Sequence, residues 1–138
     1  MKSTAILIPA RYASTRLPGK PLAMLDGVPM IKRVYDACVA SKIPTYVLTD
    51  SLRIFELFGP NACWIDEADY DNGTARCAGA IKNDFFSAYD QFINVQGDMP
   101  DVTFEMIEKT EWHLQHYHVT TMRTTMPEEK QNDPHTVK

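Results

Sequence analysis

The sequence predicts an α/β fold in which a mostly parallel sheet carries helices on both faces. Short apolar segments that favour strands alternate along the chain with segments whose apolar residues recur at helical spacing. A strand-helix-strand connection joins parallel strands, so this alternation predicts a parallel sheet. The first strand, "TAILI" at 4–8, is a continuous apolar run, which is typical of a strand that is covered on both faces.

The first half of the chain is predicted to contain three strands and two helices. Apolar residues from Ile31 to Val39 fall at helical spacing, and Gly59 stops the second helix. "TYVLTD" is rich in residues that favour strands, and "CWID" is a weaker strand. In order, the elements are a strand at 4–8, a loop at 9–20, a helix at 29–41, a strand at 45–50, a helix at 51–59 and a strand at 63–66.

The second half continues the alternation. Asp101 and Thr103 are candidate N-caps for its last clear helix. In that helix Met106, Ile107 and Trp112 are expected to face the core. The predicted elements are a helix from about Thr74, a strand at 92–98, a helix to about Gln115 and a strand at 118–125.

Polar residues follow the end of each predicted strand. They comprise the loop 9–20, Thr49 with Asp50, the segment 66–76, and Gln96 with Asp98. Ligands of open parallel sheets bind beyond the carboxyl ends of the strands. These segments are therefore expected to form a binding site along one edge of the sheet.

Composition excludes several classes of protein. The 138 residues carry a formal net charge of −4, which argues against a general nucleic-acid partner because such binding usually needs a basic face. No apolar run is long enough to span a membrane or to form a signal peptide. The three cysteines match no metal motif and are expected to be reduced thiols in a cytoplasmic protein, with a Cys63–Cys77 bridge as the alternative.

The loop after the first strand gathers Arg11, Arg16 and Lys20 around a Pro-Gly break. Fixed cations and loop N–H groups are donors that suit phosphate oxygens, although a solvated cationic loop is the alternative. Gly19-Lys20 is followed by Pro21, where a Walker-type phosphate loop has Ser or Thr. The sequence therefore favours a phosphate-binding loop of another kind.

Asp98 is the best candidate for a metal ligand. A carboxylate at a strand end can hold Mg²⁺ against nucleotide phosphates, whereas the alternative is a turn or N-cap aspartate. Gly73 either permits the close approach of a flat ligand or only makes a tight turn. Arg76 either reaches a ligand or is solvated.

Five segments, taken in order and spacing, resemble the CMP-Kdo synthetases, the 3-deoxy-manno-octulosonate cytidylyltransferases. The wider sugar-activating cytidylyltransferases are similar but less close. The resemblance implies a Rossmann-like nucleotidyltransferase sheet and a role in lipopolysaccharide biosynthesis. The segments are "IPARYASTRLPGKPL" at 8–22, "GVPMI" at 27–31, "TD" at 49–50, "NGTAR" at 72–76 and "NVQGD" at 94–98.

The resemblance also implies an activity and a set of site residues. Members transfer CMP from CTP to the anomeric hydroxyl of an acidic sugar, release pyrophosphate and require Mg²⁺. Arg16 and Lys20 would hold the triphosphate and stabilise the leaving pyrophosphate, and Asp98 would ligate the metal. The residues that would line the nucleotide site are Pro9, Ala10, Arg11 and Ser14, with Gly73 and Arg76 by the base and ribose and Gln96 near the sugar.

The chain departs from the family pattern at four motif positions and in length. Met99 stands where the family has Glu, and Tyr70, Asn72 and Ala75 stand for His, Ser and Asp. Members are nearly twice as long, so residues 1–138 correspond to the CTP-binding first half. The second half supplies much of the sugar pocket, the dimer interface and a second metal-binding aspartate. Three alternatives follow: a homodimer, a partner chain that supplies this half, or a CTP-binding module without transfer activity.

Overall fold

A computed structural model describes residues 3–12 and 20–116 of the chain. Helices and strands alternate along these residues, as the sequence predicts. In chain order the elements are β1 (Thr4–Pro9), a 3₁₀ helix (Lys20–Leu22), β2 (Met24–Leu25), β3 (Val28–Pro29), α1 (Met30–Ala40), β4 (Thr45–Thr49), α2 (Leu52–Phe58), β5 (Cys63–Ile65), α3 (Gly73–Ala80), a second 3₁₀ helix (Asp84–Ala88), β6 (Gln91–Asn94) and α4 (Phe104–His116).

The main sheet has four strands in the order β5-β4-β1-β6, and every neighbouring pair is parallel. Ile6 of β1 lies opposite Thr45 of β4 on one side and opposite Ile93 of β6 on the other. The chain therefore adds strands outward in one direction from β1 and then returns to add β6 on its other side. Because of this reversal, the switch point of the sheet lies at the carboxyl ends of β1 and β6, and ligands of such folds bind beyond these strand ends.

Helices cover both faces of the sheet, which confirms the predicted α/β class. Successive side chains of a strand point to opposite faces. Ile6 and Ile8, both fully buried, pack with residues of α1, α2 and α4 in one hydrophobic cluster. Leu7 and Leu48 pack on the other face against α3 and the second 3₁₀ helix, where Phe86 is 1% exposed.

The helix ends follow from local chemistry. The side chains of Ser51 and Asn72 accept hydrogen bonds from backbone N–H groups in the first turns of α2 and α3. Thr103 Oγ1 accepts from Met106 N at 3.3 Å, which confirms Thr103 as a candidate cap of α4. Asp101 lies further from the helix start. Gly59 ends α2 with φ of 83°, a conformation that favours glycine.

Several predicted boundaries differ from the structure. The strand predicted at 92–98 is regular only over Gln91–Asn94, although Val95 N and Gly97 N still bond to β1 carbonyls. The sequence prediction missed the β2-β3 hairpin and both 3₁₀ helices. The predicted strand at 118–125 lies outside the described residues.

Trp112 was predicted to face the core, and this prediction is wrong. The buried stripe of α4 consists of Ile107, Thr110 and Leu114. Trp112 lies on another side of the helix, where it is 55% exposed. Ile107 is fully buried as predicted, and Met106 is half-buried.

The three cysteines are free and buried, so the alternative Cys63–Cys77 bridge is not formed. Burial raises the pKa of each thiol to about 12. None of the helices in the described part of the chain is long and apolar enough to cross a membrane.

Candidate functional site

A cavity of about 310 Å³ opens at the carboxyl edge of the sheet. Four segments that are distant in sequence form its walls: the end of β1, the turn at the first 3₁₀ helix, the start of α3 and the segment after β6. They contribute Pro9, Ala10 and Arg11; Lys20 and Pro21; Tyr70, Asp71, Asn72, Gly73 and Arg76; and Gln96, Gly97 and Asp98.

The ends of β1 and β6 approach each other closely beneath the cavity. Gly97 N donates a hydrogen bond to the carbonyl of Pro9 at 3.3 Å. A Cβ on Gly97 would lie 3.1 Å from the Cβ of Ala10, which is tighter than an ordinary contact. Glycine therefore allows the segment before Asp98 to stay against β1, and this contact directs the carboxylate to the rim of the cavity.

The first turn of α3 forms a second wall. Asn72 Oδ1 accepts from Ala75 N at 2.8 Å and so fixes where the helix begins. A Cβ on Gly73 would lie 2.5 Å from Gln96 Oε1 and 2.9 Å from Pro9 Cγ. The atoms that approach Gly73 belong to Gln96 and Pro9, so a glycine is needed here for packing within the protein, and the approach of a flat ligand to Gly73 stays a prediction.

Lys20 and Asp98 face each other at the rim. Lys20 Nζ lies 3.4 Å from Asp98 Oδ2, and the two side chains are 44% and 50% exposed. A pair this exposed contributes little to stability. Both charged groups can therefore exchange this contact for a ligand at low cost.

Arg76 is 5% exposed, which excludes the alternative that its side chain is solvated. Its Nη1 donates to the carbonyl of Asp66 at 3.0 Å, and its guanidinium lies 4.9 Å from the centre of the Tyr70 ring. Because a buried cation is costly unless polar groups surround it, an arginine in this position marks a built site. It presents positive charge at the inner wall of the cavity.

Tyr70 and Asp66 form a pair next to this arginine. The Tyr70 hydroxyl donates to Asp66 Oδ2 at 2.7 Å, while Ala68 N donates to Asp66 Oδ1 at 2.9 Å. These two hydrogen bonds lower the pKa of the Asp66 carboxyl, and Arg76 lowers it further against the effect of burial. The same contact with Asp66 raises the pKa of Tyr70.

The segment that leads into the cationic loop is held by the next strand of the sheet. Tyr12 N donates to Asp50 Oδ1 at 3.0 Å, just beyond the end of β4. Arg53 Nη1 donates to the Tyr12 hydroxyl at 3.0 Å, and its guanidinium lies 5.4 Å from the ring centre. These contacts fix the chain directly after Arg11.

Most of the predicted site residues surround this one cavity. The residues that the structure brings together are Pro9, Ala10, Arg11, Lys20, Gly73, Arg76, Gln96 and Asp98. Arg16 and Ser14 lie outside the described residues. Tyr70, Asp71 and Asn72 also line the cavity; they belong to the segment 66–76 that was expected at this edge, although they were not named as individual site residues. Pro21 and Gly97 were not predicted, and their places next to Lys20 and Asp98 are the signal that would have found them.

Fold and site together define a Rossmann-like α/β domain with a cavity at the switch point of its sheet, lined by both charged and apolar residues. The chain belongs to the cytidylyltransferase family, because the family model described as "Cytidylyltransferase" matches residues 5–137.

Curated relatives include two kinds of sugar cytidylyltransferase. A 3-deoxy-manno-octulosonate cytidylyltransferase of Pseudoalteromonas atlantica is 37% identical over 123 residues, which are 86% of this chain and 48% of the relative. An 8-amino-3,8-dideoxy-manno-octulosonate cytidylyltransferase of Shewanella loihica is 40% identical over 146 aligned positions, covering 99% of this chain and 59% of the relative. The chain thus spans about half the length of the curated relatives that it matches.

Solved structures agree with this assignment. The structure of a CMP:2-keto-3-deoxy-manno-octonic acid synthetase complexed with CTP has a TM-score of 0.73 and 31% identity, covering 86% of this chain and 49% of that one. A cytidylyltransferase from Leptospira borgpetersenii has a TM-score of 0.66 at 22% identity, with coverage of 84% and 50%, and supports the fold alone.

Proposed function

We propose that the chain binds CTP in the cavity beyond the carboxyl ends of β1 and β6 and forms the nucleotide half of a transferase. The transferase would move CMP from CTP to the anomeric hydroxyl of an acidic sugar such as Kdo. The observation that carries the proposal is the meeting of Lys20, Arg76 and Asp98 around one cavity at the switch point, in a cytidylyltransferase chain. In this reaction the sugar oxygen forms a bond to the α-phosphorus, and the bond from that phosphorus to the oxygen bridging the α- and β-phosphates breaks. Pyrophosphate leaves with that oxygen, and the proton of the sugar hydroxyl passes to solvent.

Lys20 is proposed to bind the phosphates, together with Arg11 and Arg16 of the cationic loop. Lys20 and Arg11 lie at the cavity, and the Lys20 ammonium forms an exposed ion pair with Asp98 there. An ammonium aimed at a phosphate stabilises negative charge as it develops on the leaving pyrophosphate. Ser14 of the same loop is proposed to contact the nucleotide.

Asp98 is the residue proposed to hold Mg²⁺. Mg²⁺ usually takes one or two protein carboxylates and completes its shell with water and substrate phosphates. The donor set fits this pattern, because an accessible carboxylate lies at the cavity rim next to a phosphate-binding candidate. When bound, the metal would polarise the α-phosphate. Within residues 3–12 and 20–116, no group of three or more His, Cys, Asp or Glu side chains forms a complete protein site.

The base and ribose are proposed to lie against the start of α3. Gly73 has no side chain to occupy this wall, and Gln96 Nε2 donates to Asn94 Oδ1 at 2.8 Å, which orients the side-chain amide of Gln96. Arg76 provides donors at the inner wall. Pro9 and Ala10 would contact the nucleotide from the end of β1, and the acceptor sugar would approach past Gln96.

A CTP-binding module without transfer activity is the second candidate function. The observation that favours it is Met99, which stands where the family pattern has a carboxylate. The two candidates are compatible if this chain binds CTP and a second chain supplies the remaining part of the transferase site. That second chain would be another copy in a homodimer or a different partner chain. We place the protein in the cytoplasm, which suits its three free thiols and the supply of CTP.

Calorimetry with CTP and Mg²⁺ tests the binding proposal. Lys20→Ala should weaken CTP binding by about tenfold, since hydrogen bonds to charged groups contribute about 1.5–3 kcal/mol. Lys109→Ala is the matched control, because it removes the same charge from an exposed position on α4. Equal losses in both variants, or none in either, would refute the phosphate role of Lys20.

A coupled assay for pyrophosphate separates the two candidate functions. With CTP, Mg²⁺ and Kdo, a transferase releases pyrophosphate only when the sugar is present. Saturable CTP binding without sugar-dependent release identifies a binding module. Release without sugar would contradict the transfer reaction itself.

A further inference from the structure

We propose that Tyr70 is a positioning residue that orients Arg76 toward the nucleotide and thereby sets the affinity for CTP. This inference rests on the proposed function of the cavity. It concerns a residue at which this chain departs from the pattern of the family it resembles, where a histidine is usual. The argument comes from the contacts of Arg76, of Tyr70 and of Gly79.

Within residues 3–12 and 20–116, Arg76 has no carboxylate in a salt bridge of the kind that a buried guanidinium normally forms. The group carries five N–H donors. In the described part of the chain it donates to one backbone carbonyl, that of Asp66, and forms no salt bridge with a carboxylate. Because the side chain is 5% exposed and lines the cavity, a ligand in the cavity is the natural acceptor for its remaining donors.

The ring of Tyr70 holds this guanidinium in place from one side. The centre of the ring lies 4.9 Å from Arg76 Cζ, a distance at which the aromatic face attracts the cation. An arginine that had only its single bond to the Asp66 carbonyl would keep several rotatable angles. The ring removes much of that freedom before a ligand arrives, and such preorganisation increases affinity.

Tyr70 is itself fixed from two directions. Its hydroxyl donates to Asp66 Oδ2 at 2.7 Å, and the Asp66 backbone carbonyl accepts from Arg76, so one residue holds both partners. On the other side the ring lies against Gly79 of α3. A Cβ on Gly79 would lie 2.6 Å from Tyr70 Cε1 and 2.8 Å from Cζ, closer than real contacts allow.

Gly79 therefore offers a way to move the ring without changing Tyr70. Gly79→Ala raises the intrinsic stability of an α-helix, since alanine is the better helix former. The added methyl group displaces the ring, which is the free end of a side chain. Affinity for CTP and stability of α3 should then change in opposite directions, whereas a merely structural residue would change both together.

The experiment measures CTP affinity by calorimetry in the 138-residue chain and in four variants. Tyr70→Ala and Gly79→Ala should each weaken binding by about tenfold, because each misplaces a charged donor. Tyr70→Phe keeps the ring and should retain most of the affinity. Ala78→Gly is the control, because it weakens the same helix at an exposed neighbouring position and should leave affinity unchanged.

Two double variants test whether Tyr70 changes CTP affinity through its contacts with Gly79 and Arg76. Adding Gly79→Ala to Tyr70→Ala should cause no further loss, since no ring remains to be displaced. Adding Tyr70→Ala to Arg76→Lys should also cause little further loss, because the planar fork of the guanidinium is already gone. Additive losses in both cycles would overturn the inference, since they would show that Tyr70 acts independently of Gly79 and Arg76.

The outcomes distinguish this inference from the proposed function. A parent chain that does not bind CTP overturns both. A parent chain that binds CTP while Tyr70→Ala and Gly79→Ala bind it equally well overturns the inference alone. An NMR spectrum of the arginine Nε–H groups without nucleotide adds an independent readout: the Arg76 signal should shift and broaden in Tyr70→Ala, and an unchanged signal contradicts the positioning role.

Discussion

Replacing Gly73 by alanine tests the close packing of the cavity wall. The new Cβ would lie 2.5 Å from Gln96 Oε1 and 2.9 Å from Pro9 Cγ. Gln96 can move only by disturbing its 2.8 Å bond to Asn94, and Pro9 is a stiff ring at the buried end of β1. Overpacking of this kind costs about 1–3 kcal/mol. Better helix propensity offsets at most about 0.5–1 kcal/mol of that cost.

Urea unfolding measures the net effect on stability. A loss of about 1–2 kcal/mol lowers the midpoint by roughly 0.5–1 M urea when the slope is about 2 kcal/mol per M. CTP binding should weaken in the same variant, because the methyl group stands at the wall that the nucleotide would contact. Ala78→Ser is the matched control, as it adds one atom to the exposed side of the same helix. Unchanged stability together with unchanged CTP binding would refute the packing described for Gly73.

Three further predictions concern stability and reactivity. Asn72→Ala removes the side-chain cap on Ala75 N and should cost about 1 kcal/mol in urea unfolding, whereas no loss would contradict the role of Asn72 as the cap of α3. The pKa of the Asp66 carboxyl is lowered chiefly by the Tyr70 hydroxyl, so its stabilising effect is complete above its unfolded pKa of about 3.9 and is lost as the pH falls through the folded pKa. The stability gap between the parent and Asp66→Asn should therefore narrow below about pH 4, and a gap independent of pH would contradict the hydrogen-bond pattern. Because burial raises the pKa of the three thiols to about 12, a thiol reagent should label them only after unfolding, and rapid labelling of the folded chain would contradict their burial.

The parallel sheet and the edge at which its loops meet could be predicted from the sequence because they follow from local patterns, whereas the order of the strands was not predicted. The apolar run of β1 and the alternation of strands with helices were enough to place Pro9, Lys20, Gly73 and Asp98 at one edge. The β2-β3 hairpin was missed although its signal was present. Asp26-Gly27 is a dipeptide typical of a tight hairpin turn, and both residues have positive φ, 51° and 82°.

The inner wall of the cavity could not be predicted in the same way. Whether Arg76 is buried depends on how the turn before α3 folds back, and this is set by Asp66 bonding to both Ala68 and Tyr70. The contact of Tyr70 with Gly79 crosses the first turns of the helix and leaves no periodic pattern in the sequence. The prediction that Trp112 faces the core was wrong for a simpler reason, since helical spacing alone does not say which side of α4 meets the sheet.

The most direct test of the central claim is the titration of the chain with CTP in the presence and absence of Mg²⁺. We predict saturable binding at one site that is stronger with Mg²⁺. In Asp98→Asn, where the charge of the carboxylate is lost at nearly constant shape, the gain from Mg²⁺ should largely disappear. A folded chain that shows no saturable CTP binding, or whose Mg²⁺ dependence survives the loss of Asp98, would contradict the account of this cavity as a nucleotide site.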